Sequence, residues 1–258
     1  MKNIFKAFGW TVLNFILQFA VMLPFSIAYV ASGITDDAIL NQKISENTFL
    51  FTIISNTVII AIAFLASKIK KKKVIDEWKL FARSPKNYVM PCIIAFTYSL
   101  FFFLITYDPI SNSKSMIHIC AESYNSFALP MMALALLISA PFTEEIINRG
   151  VIMNTLKRSF SVRASIIISA VIFGLIHIPA GGIVLGTGAA IMGVVLAIIY
   201  EKTDSLWVAI AAHMVANLPD FIFYSSPVIN DVFRITIALL SLAVSTALLI
   251  IWIKPQKA

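Results

Sequence analysis

The stretch FALPMMALALLISAPFTEEIINRG, residues 127–150, joins a long apolar run to two glutamates and an arginine. A helix needs about 20 mainly apolar residues to span a bilayer, so the run predicts a transmembrane helix. That helix carries Glu144, Glu145 and Arg149 towards its end. Because an unpaired charge inside a membrane is costly, we expect these side chains either to be paired or to serve a function.

The rest of the chain is also strongly apolar. Of its 258 residues, 59% are hydrophobic and 13% are charged, and the mean hydropathy is +0.89. These values exclude an ordinary soluble domain. The expected fold is an all-α polytopic membrane helix bundle of about eight transmembrane helices, forming a single domain (1–258) with a motif-bearing core at 127–224. The candidate spans are 9–31, 48–67, 88–107, 127–147, 163–180, 183–200, 205–224 and 232–253.

The basic residues predict the orientation in the membrane. The net charge is +7, but the lysines and arginines lie between apolar runs and lack the pattern of a nucleic-acid surface. With a cytoplasmic N-terminus, the inner segments hold 16 of the 20 basic residues and the outer loops hold three. The positive-inside rule then predicts a multi-pass protein of the plasma membrane, in contact with the lipid bilayer, with both termini cytoplasmic. The lysine-rich loop 68–87 is expected to form an interfacial helix on the inner leaflet.

Two of the three histidines, His177 and His213, lie within apolar segments. Glu144 and His177 are each 16 to 17 residues from a turn centred near 160–161. At a rise of about 1.5 Å per residue, an antiparallel helix pair brings them to the same depth. His213 is nearer to the turn EKTD, so that turn must sink into the membrane if all three are to meet. Polar groups inside spans tend to face one another, which favours a shared site.

Helical spacing predicts further pairs on single helix faces. Glu145 and Arg149 are separated by four residues and can form an ion pair, whereas Glu144 is rotated away from them by about 100°. His213 and Asn217 have the same separation and present an imidazole and an amide together. The glycine-rich stretch after His177, with Gly181 and Gly182, is expected to end the fifth helix.

Three ordered motifs resemble a known family. TEEIINR matches EExxxR, FGLIH (173–177) matches FxxxH, and HMVAN (213–217) matches HxxxN. The chain is in this respect similar to the CAAX-processing and bacteriocin-processing intramembrane proteases, the family of abortive-infection proteins and Ras-converting endopeptidases. The resemblance covers about residues 127–224, and the first three spans carry no matching motif.

The resemblance implies a glutamate-activated endopeptidase whose substrate is a membrane-associated peptide or protein. Its catalytic residues would be Glu144, Glu145, Arg149, His177, His213 and Asn217. Glu144 would activate water, and a histidine and Asn217 could donate to the oxyanion. In a second interpretation, Glu144, His177 and His213 bind zinc and the other glutamate is the base. HExxH is absent, so the site differs from a conventional zincin.

Two other functions are compatible with the sequence. A protein of the same fold could be a catalytically silent membrane scaffold, or an immunity or regulatory protein, although the motif residues are intact. A proton-coupled transporter could use the same carboxylates and histidines as a relay. The sequence shows no repeats in matching halves, which counts against a transporter.

Overall fold

The computed structural model describes residues 2–71, 73–106, 128–222 and 230–254. In these parts the chain is helical and contains no strand, which confirms the all-α helix bundle. Some positions used in the sequence predictions lie outside the described residues. They are three of the basic residues counted for the orientation, Lys72, Lys114 and Lys257, and residues 223–224 of the seventh candidate span. The first five helices are α1 (Lys2–Ala31), α2 (Asp37–Glu46), α3 (Thr48–Ile69), α4 (Val74–Glu77) and α5 (Lys86–Thr106).

The fourth apolar segment forms one continuous helical rod, which we call α6. Its middle part, Ala140–Glu145, is an α-helix between two π-helical stretches. π-helical turns are rare, occur mostly as interruptions of α-helices, and are frequent at functional sites. The two glutamates therefore lie where the backbone geometry changes. The successive parts of α6 are Ala128–Ala133, Leu134–Ser139, Ala140–Glu145, Ile146–Met153 and Asn154–Leu156.

The fifth and sixth candidate spans lie in one element, α7 (Val162–Thr203), which is 42 residues long. Its helical geometry breaks at Gly181 and Gly182, and Gly182 has a φ of 69°. A Cβ atom built on Gly174 would lie 2.5 Å from the carbonyl oxygen of Gly186, so the two halves touch. α7 is thus a helical hairpin that reverses at the two glycines, as the sequence predicted. We call its arms α7a (162–180) and α7b (183–203).

The last helices are α8 (Leu206–Ala216), α9 (Leu218–Ile222) and α10 (Asp231–Ile253). Six helices of the described chain are long and apolar enough to cross a membrane, and 206–222 forms a shorter apolar pair. Because α7 holds two of the eight predicted segments and α8 with α9 forms another, each predicted segment is helical where it is described. α5 packs against α8 and α10, and α6 packs between α7 and α8.

The loop after α3 differs from the prediction. The expected interfacial helix is not formed, because α4 has only four residues and Trp78 is buried under α6, where a Cβ atom on Gly150 would meet its ring at 3.2 Å. The amide of Leu206 donates to the carbonyl oxygen of Lys79, and Ser205 donates to that of Phe81. The loop is therefore folded onto the ends of α6, α7b and α8.

Candidate active site

Glu145 and Arg149 form the predicted ion pair inside the bundle. Arg149 Nη1 lies 2.8 Å from Glu145 Oε1, and both side chains are almost fully buried, with 1% and 0% exposed. Arg149 Nη2 also donates to the carbonyl oxygen of Gly193 at 2.9 Å, and its guanidinium lies 4.9 Å from the Phe173 ring centre. The arginine therefore joins α6 to both arms of α7.

His213 contacts both adjacent glutamates. Its Nδ1 lies 2.9 Å from Glu145 Oε1, and its Nε2 lies 3.8 Å from Glu144 Oε2. An ionised carboxylate only accepts hydrogen bonds, so Nδ1 carries the proton that is donated to Glu145. In the neutral imidazole, the Nε2 lone pair then faces Glu144. As the helical spacing predicted, Arg149 pairs with Glu145 and not with Glu144. His213, in contrast, lies near both carboxylates.

His177 approaches Glu144 from α7a. Its Nδ1 lies 2.7 Å from the carbonyl oxygen of Phe173, one helical turn earlier, and its Nε2 lies 3.9 Å from Glu144 Oε2. Because a carbonyl oxygen is an acceptor, Nδ1 of this ring is again the protonated nitrogen. The two imidazoles thus direct matching Nε2 atoms towards one carboxylate oxygen. The EKTD turn is deep enough for His213 to take part.

The distances from Glu144 to His177 and His213 determine how these side chains can interact. Separations of 3.8 and 3.9 Å are too long for direct hydrogen bonds. They suit a bridging water, which can contact the carboxylate and an imidazole at normal distances. The side chains of Glu144 and His177 are 23% and 25% exposed, so the centre is open on one side.

Asn217 has a different contact from the one expected for a free oxyanion donor. Its Nδ2 donates to the carbonyl oxygen of Leu136 at 2.8 Å, in the first π-helical stretch of α6. The amide nitrogen has a second hydrogen, and the residue also lines the cavity at the histidines. Asn217 therefore fixes α8 against α6 while remaining next to the site.

A cavity of about 110 Å³ is lined by both histidines. Its lining includes side chains of α5 and α9 that no motif indicated. One of them, Asp220, could have been identified from the sequence, because it is an acidic residue in an apolar segment. The lining residues are Tyr98, Ser99, Phe102, Phe173, His177, Leu185, Gly188, Ala189, Met192, His213, Ala216, Asn217 and Asp220.

A much smaller cleft lies on the other face of Glu144. Thr11 and Asn14 of α1 line it together with Thr143 and Asn148 of α6. Asn148 Nδ2 donates to the backbone carbonyl oxygen of Glu144 at 2.8 Å. The first span, which matches no motif, thus supplies polar groups beside the central glutamate. Asn14 within an apolar run was the signal that could have indicated this.

A zinc ion can be tested against the three predicted ligands. The donors are of the right kind, since both histidines present an Nε2 lone pair and Glu144 presents a carboxylate oxygen. In a tetrahedral zinc site, however, such ligand atoms lie about 3.3 Å apart. The separations of 3.8 and 3.9 Å are wider. Within the described ranges, no group of three or more His, Cys, Asp or Glu side chains is arranged to hold a metal ion. The residues do not fit zinc as they stand, and we derive no step through a metal.

Comparison with known proteins gives two matches. A family model described as "Type II CAAX prenyl endopeptidase Rce1-like" matches residues 126–219, the segment that carries all three motifs. A curated protein of Bacillus subtilis (strain 168), named "Putative membrane peptidase YdiL", is 35% identical over 103 residues. That match covers 40% of this chain and 41% of the length of the relative. No solved structure matches the chain.

Proposed function

We propose that this chain is an intramembrane endopeptidase that uses Glu144 as its general base, because residues 126–219 match the family model of the CAAX prenyl endopeptidases and a membrane peptidase is similar to part of the chain. The bond that it hydrolyses is a peptide bond of a membrane-associated peptide or protein. The proposal rests on one observation: the Nε2 atoms of His177 and His213 lie 3.9 and 3.8 Å from the same oxygen of Glu144.

The first step is removal of a proton from water. A water between Glu144 and the imidazoles loses a proton to the carboxylate, and its oxygen attacks the carbonyl carbon of the substrate. With neutral imidazoles, Glu144, Glu145 and Arg149 together carry a formal charge of −1. Proton transfer to Glu144 moves this negative charge to the water oxygen, which becomes part of the tetrahedral intermediate, so the total charge of the site is unchanged and the intermediate needs hydrogen-bond donors.

The tetrahedral intermediate needs donors for its oxyanion. The second N–H of the Asn217 amide is one donor. A neutral His213 cannot donate from Nε2, because its proton is on Nδ1, so a histidine contributes to oxyanion binding only when it is protonated. Protonated Glu144 then gives its proton to the leaving amine as the C–N bond breaks. The products are a carboxylic acid and an amine, and the glutamate is ready for another water.

Glu145 and Arg149 act as positioning residues in this scheme. Glu145 holds the His213 ring through Nδ1, and Arg149 holds Glu145 through the same oxygen. Gly193 and Phe173 in turn fix the guanidinium. These contacts determine the direction of the Nε2 lone pair without touching the substrate.

Purified protein in proteoliposomes, incubated with a library of single-span model peptides, tests the proposal. We expect wild type to release fragments that mass spectrometry identifies, and Glu144→Gln to release none, because an amide cannot accept the proton of the water. Glu46→Gln is the matched control, since Glu46 pairs with Lys43 in α2, away from the site. Cleavage that persists in Glu144→Gln, or wild type that cleaves no peptide, would contradict the proposed function.

A further inference from the structure

Asp220 lines the cavity but has no role in the proposed hydrolysis. It is exposed, it lies in the apolar helix α9, and it lines the same cavity as His177 and His213. Its carboxylate has no hydrogen-bond or ion-pair partner in the parts of the chain that the structure describes. The residue directly follows the segment matched by the family model, so that match gives it no role.

A purely local role does not account for this carboxylate. Asp220 lies in the first turn of α9, where an acidic side chain can accept from free backbone amides. No such hydrogen bond is formed within the described residues. A carboxylate in an apolar span normally has a partner, because the charged form is costly there. The contacts of the described residues do not supply that partner.

The cavity itself offers no positive charge to Asp220. Its described lining contains no lysine or arginine. Arg149, the nearest buried cation to the histidines, is committed to Glu145 and to the carbonyl oxygen of Gly193. The two imidazoles have their Nδ1 protons bound by Glu145 and by Phe173. Among the described residues, Asp220 is thus left open to a cation that a substrate brings into the cavity.

The position of Asp220 fixes where that cation would lie. His213 of α8, Asn217 at the junction of α8 and α9, and Asp220 of α9 all line this cavity. Seven residues of helix rise by about 10 Å. An extended peptide advances about 3.3 Å per residue, so about three residues separate the scissile bond from the point opposite Asp220.

We propose that Asp220 is a specificity residue that binds a lysine or arginine side chain of the peptide substrate, about three residues from the scissile bond. The inference rests on the proposed function, since it assigns a substrate class to the same site. It predicts a preference for peptides with a cationic residue at one defined distance from the cleaved bond.

A set of model peptides that differ at one position tests this. Once a cleaved peptide is known, Lys, Gln or Glu is placed in turn at each of the four residues on either side of its scissile bond. With wild-type protein in proteoliposomes, we expect kcat/KM for the Lys peptide to exceed that for the Glu peptide by about tenfold at one of these positions, near the third residue. Asp220→Asn should bring the ratio close to one, and Asp220→Lys should reverse it.

The controls separate this inference from the proposed function. Asp37→Asn removes an exposed aspartate in α2 and should keep the wild-type ratio. Asp220→Glu keeps the charge and should keep the direction of the preference. Wild type that cleaves Lys, Gln and Glu peptides equally at all positions overturns the assignment of Asp220, while the protease function stands. Wild type that cleaves no peptide overturns both.

Discussion

His213 donates from Nδ1 to Glu145 Oε1 at 2.9 Å, and the same oxygen accepts from Arg149 at 2.8 Å. One carboxylate oxygen therefore serves a structural ion pair and also orients an imidazole of the site. Loss of Glu145 should affect both folding and catalysis, and the two effects can be separated because they depend on different partners.

The first prediction concerns the folded yield of the buried pair. Arg149→Ala leaves Glu145 charged and without its cation in a fully buried place, which costs about 3 to 5 kcal/mol. We expect a low yield of monodisperse protein by size-exclusion chromatography. Glu144→Ala removes a partly exposed carboxylate and should give a normal yield without activity. A full yield for Arg149→Ala would show that the pair does not support the fold.

The second prediction separates positioning from stability with a double variant. Glu145→Gln alone leaves Arg149 uncompensated, but Glu145→Gln with Arg149→Gln restores neutrality and should recover part of the yield. Activity should nevertheless remain about 100-fold below wild type in kcat, with KM little changed, because His213 has lost its anionic partner. Wild-type kcat in the folded double variant would contradict the role of Glu145 in orienting His213.

Much of this arrangement could be predicted from the sequence. The spacing of Glu145 and Arg149 predicted their pairing, and a count from the turn predicted that Glu144 and His177 lie at one depth. Local spacing could not reveal contacts with backbone carbonyls of other helices, such as Arg149 with Gly193 and Asn217 with Leu136. These depend on packing.

The loop prediction was wrong for a related physical reason. A tryptophan among lysines is typical of a membrane interface. The same composition also suits a loop that folds back, and here Trp78 is buried against α6. The lysine that follows it, Lys79, pairs with Asp204 at 2.7 Å and with Glu201 at 3.7 Å. The composition of the loop alone does not show whether its lysines contact anionic lipid or the acidic residues at the end of a helix.

The third prediction concerns pH and Asp204, which ends α7 outside the membrane span with a φ of 51°. Hydrogen bonding to Lys79 is the main cause that lowers the pKa of Asp204, and the charges of Lys79 and Arg83 add to it. A lowered folded pKa means that the stabilisation is present above the unfolded pKa, about 3.9, and is lost as pH falls through the folded value. Asp204→Asn keeps a residue suited to the left-handed conformation.

Thermal unfolding of detergent-solubilised protein measures this effect. At pH 7 the Asp204→Asn variant should be less stable than wild type by at most about 1 kcal/mol, because the side chain is half exposed. The difference should shrink as the pH is lowered below 4. Asp37→Asn should show no such trend. A difference that is independent of pH would mean that the charge of Asp204 is not its cause.

The fourth prediction concerns metal. Because the spacing around Glu144 is too wide for tetrahedral zinc, we expect protease activity to persist after exhaustive chelation, in protein whose metal content by mass spectrometry is far below one ion per chain. The competing outcome is well defined. Stoichiometric zinc in wild type, its absence in His177→Ala and His213→Ala, and activity restored by added zinc would establish a metal site and overturn the metal-independent scheme.

The fifth prediction concerns orientation. The excess of basic residues on one side predicts that both termini and the loop at 68–87 lie in the cytoplasm. The cluster that joins Lys79 and Lys157 to Glu201 lies on this side. In a cysteine-free background, single cysteines at Lys70 or Lys73 should react with a membrane-impermeant maleimide only after the cells are opened. A cysteine at Asp37, in the outer helix α2, is the matched control and should react in intact cells. Labelling of position 70 or 73 from outside intact cells would reverse the topology, and the active-site cavity would then have to receive its substrate from the opposite face.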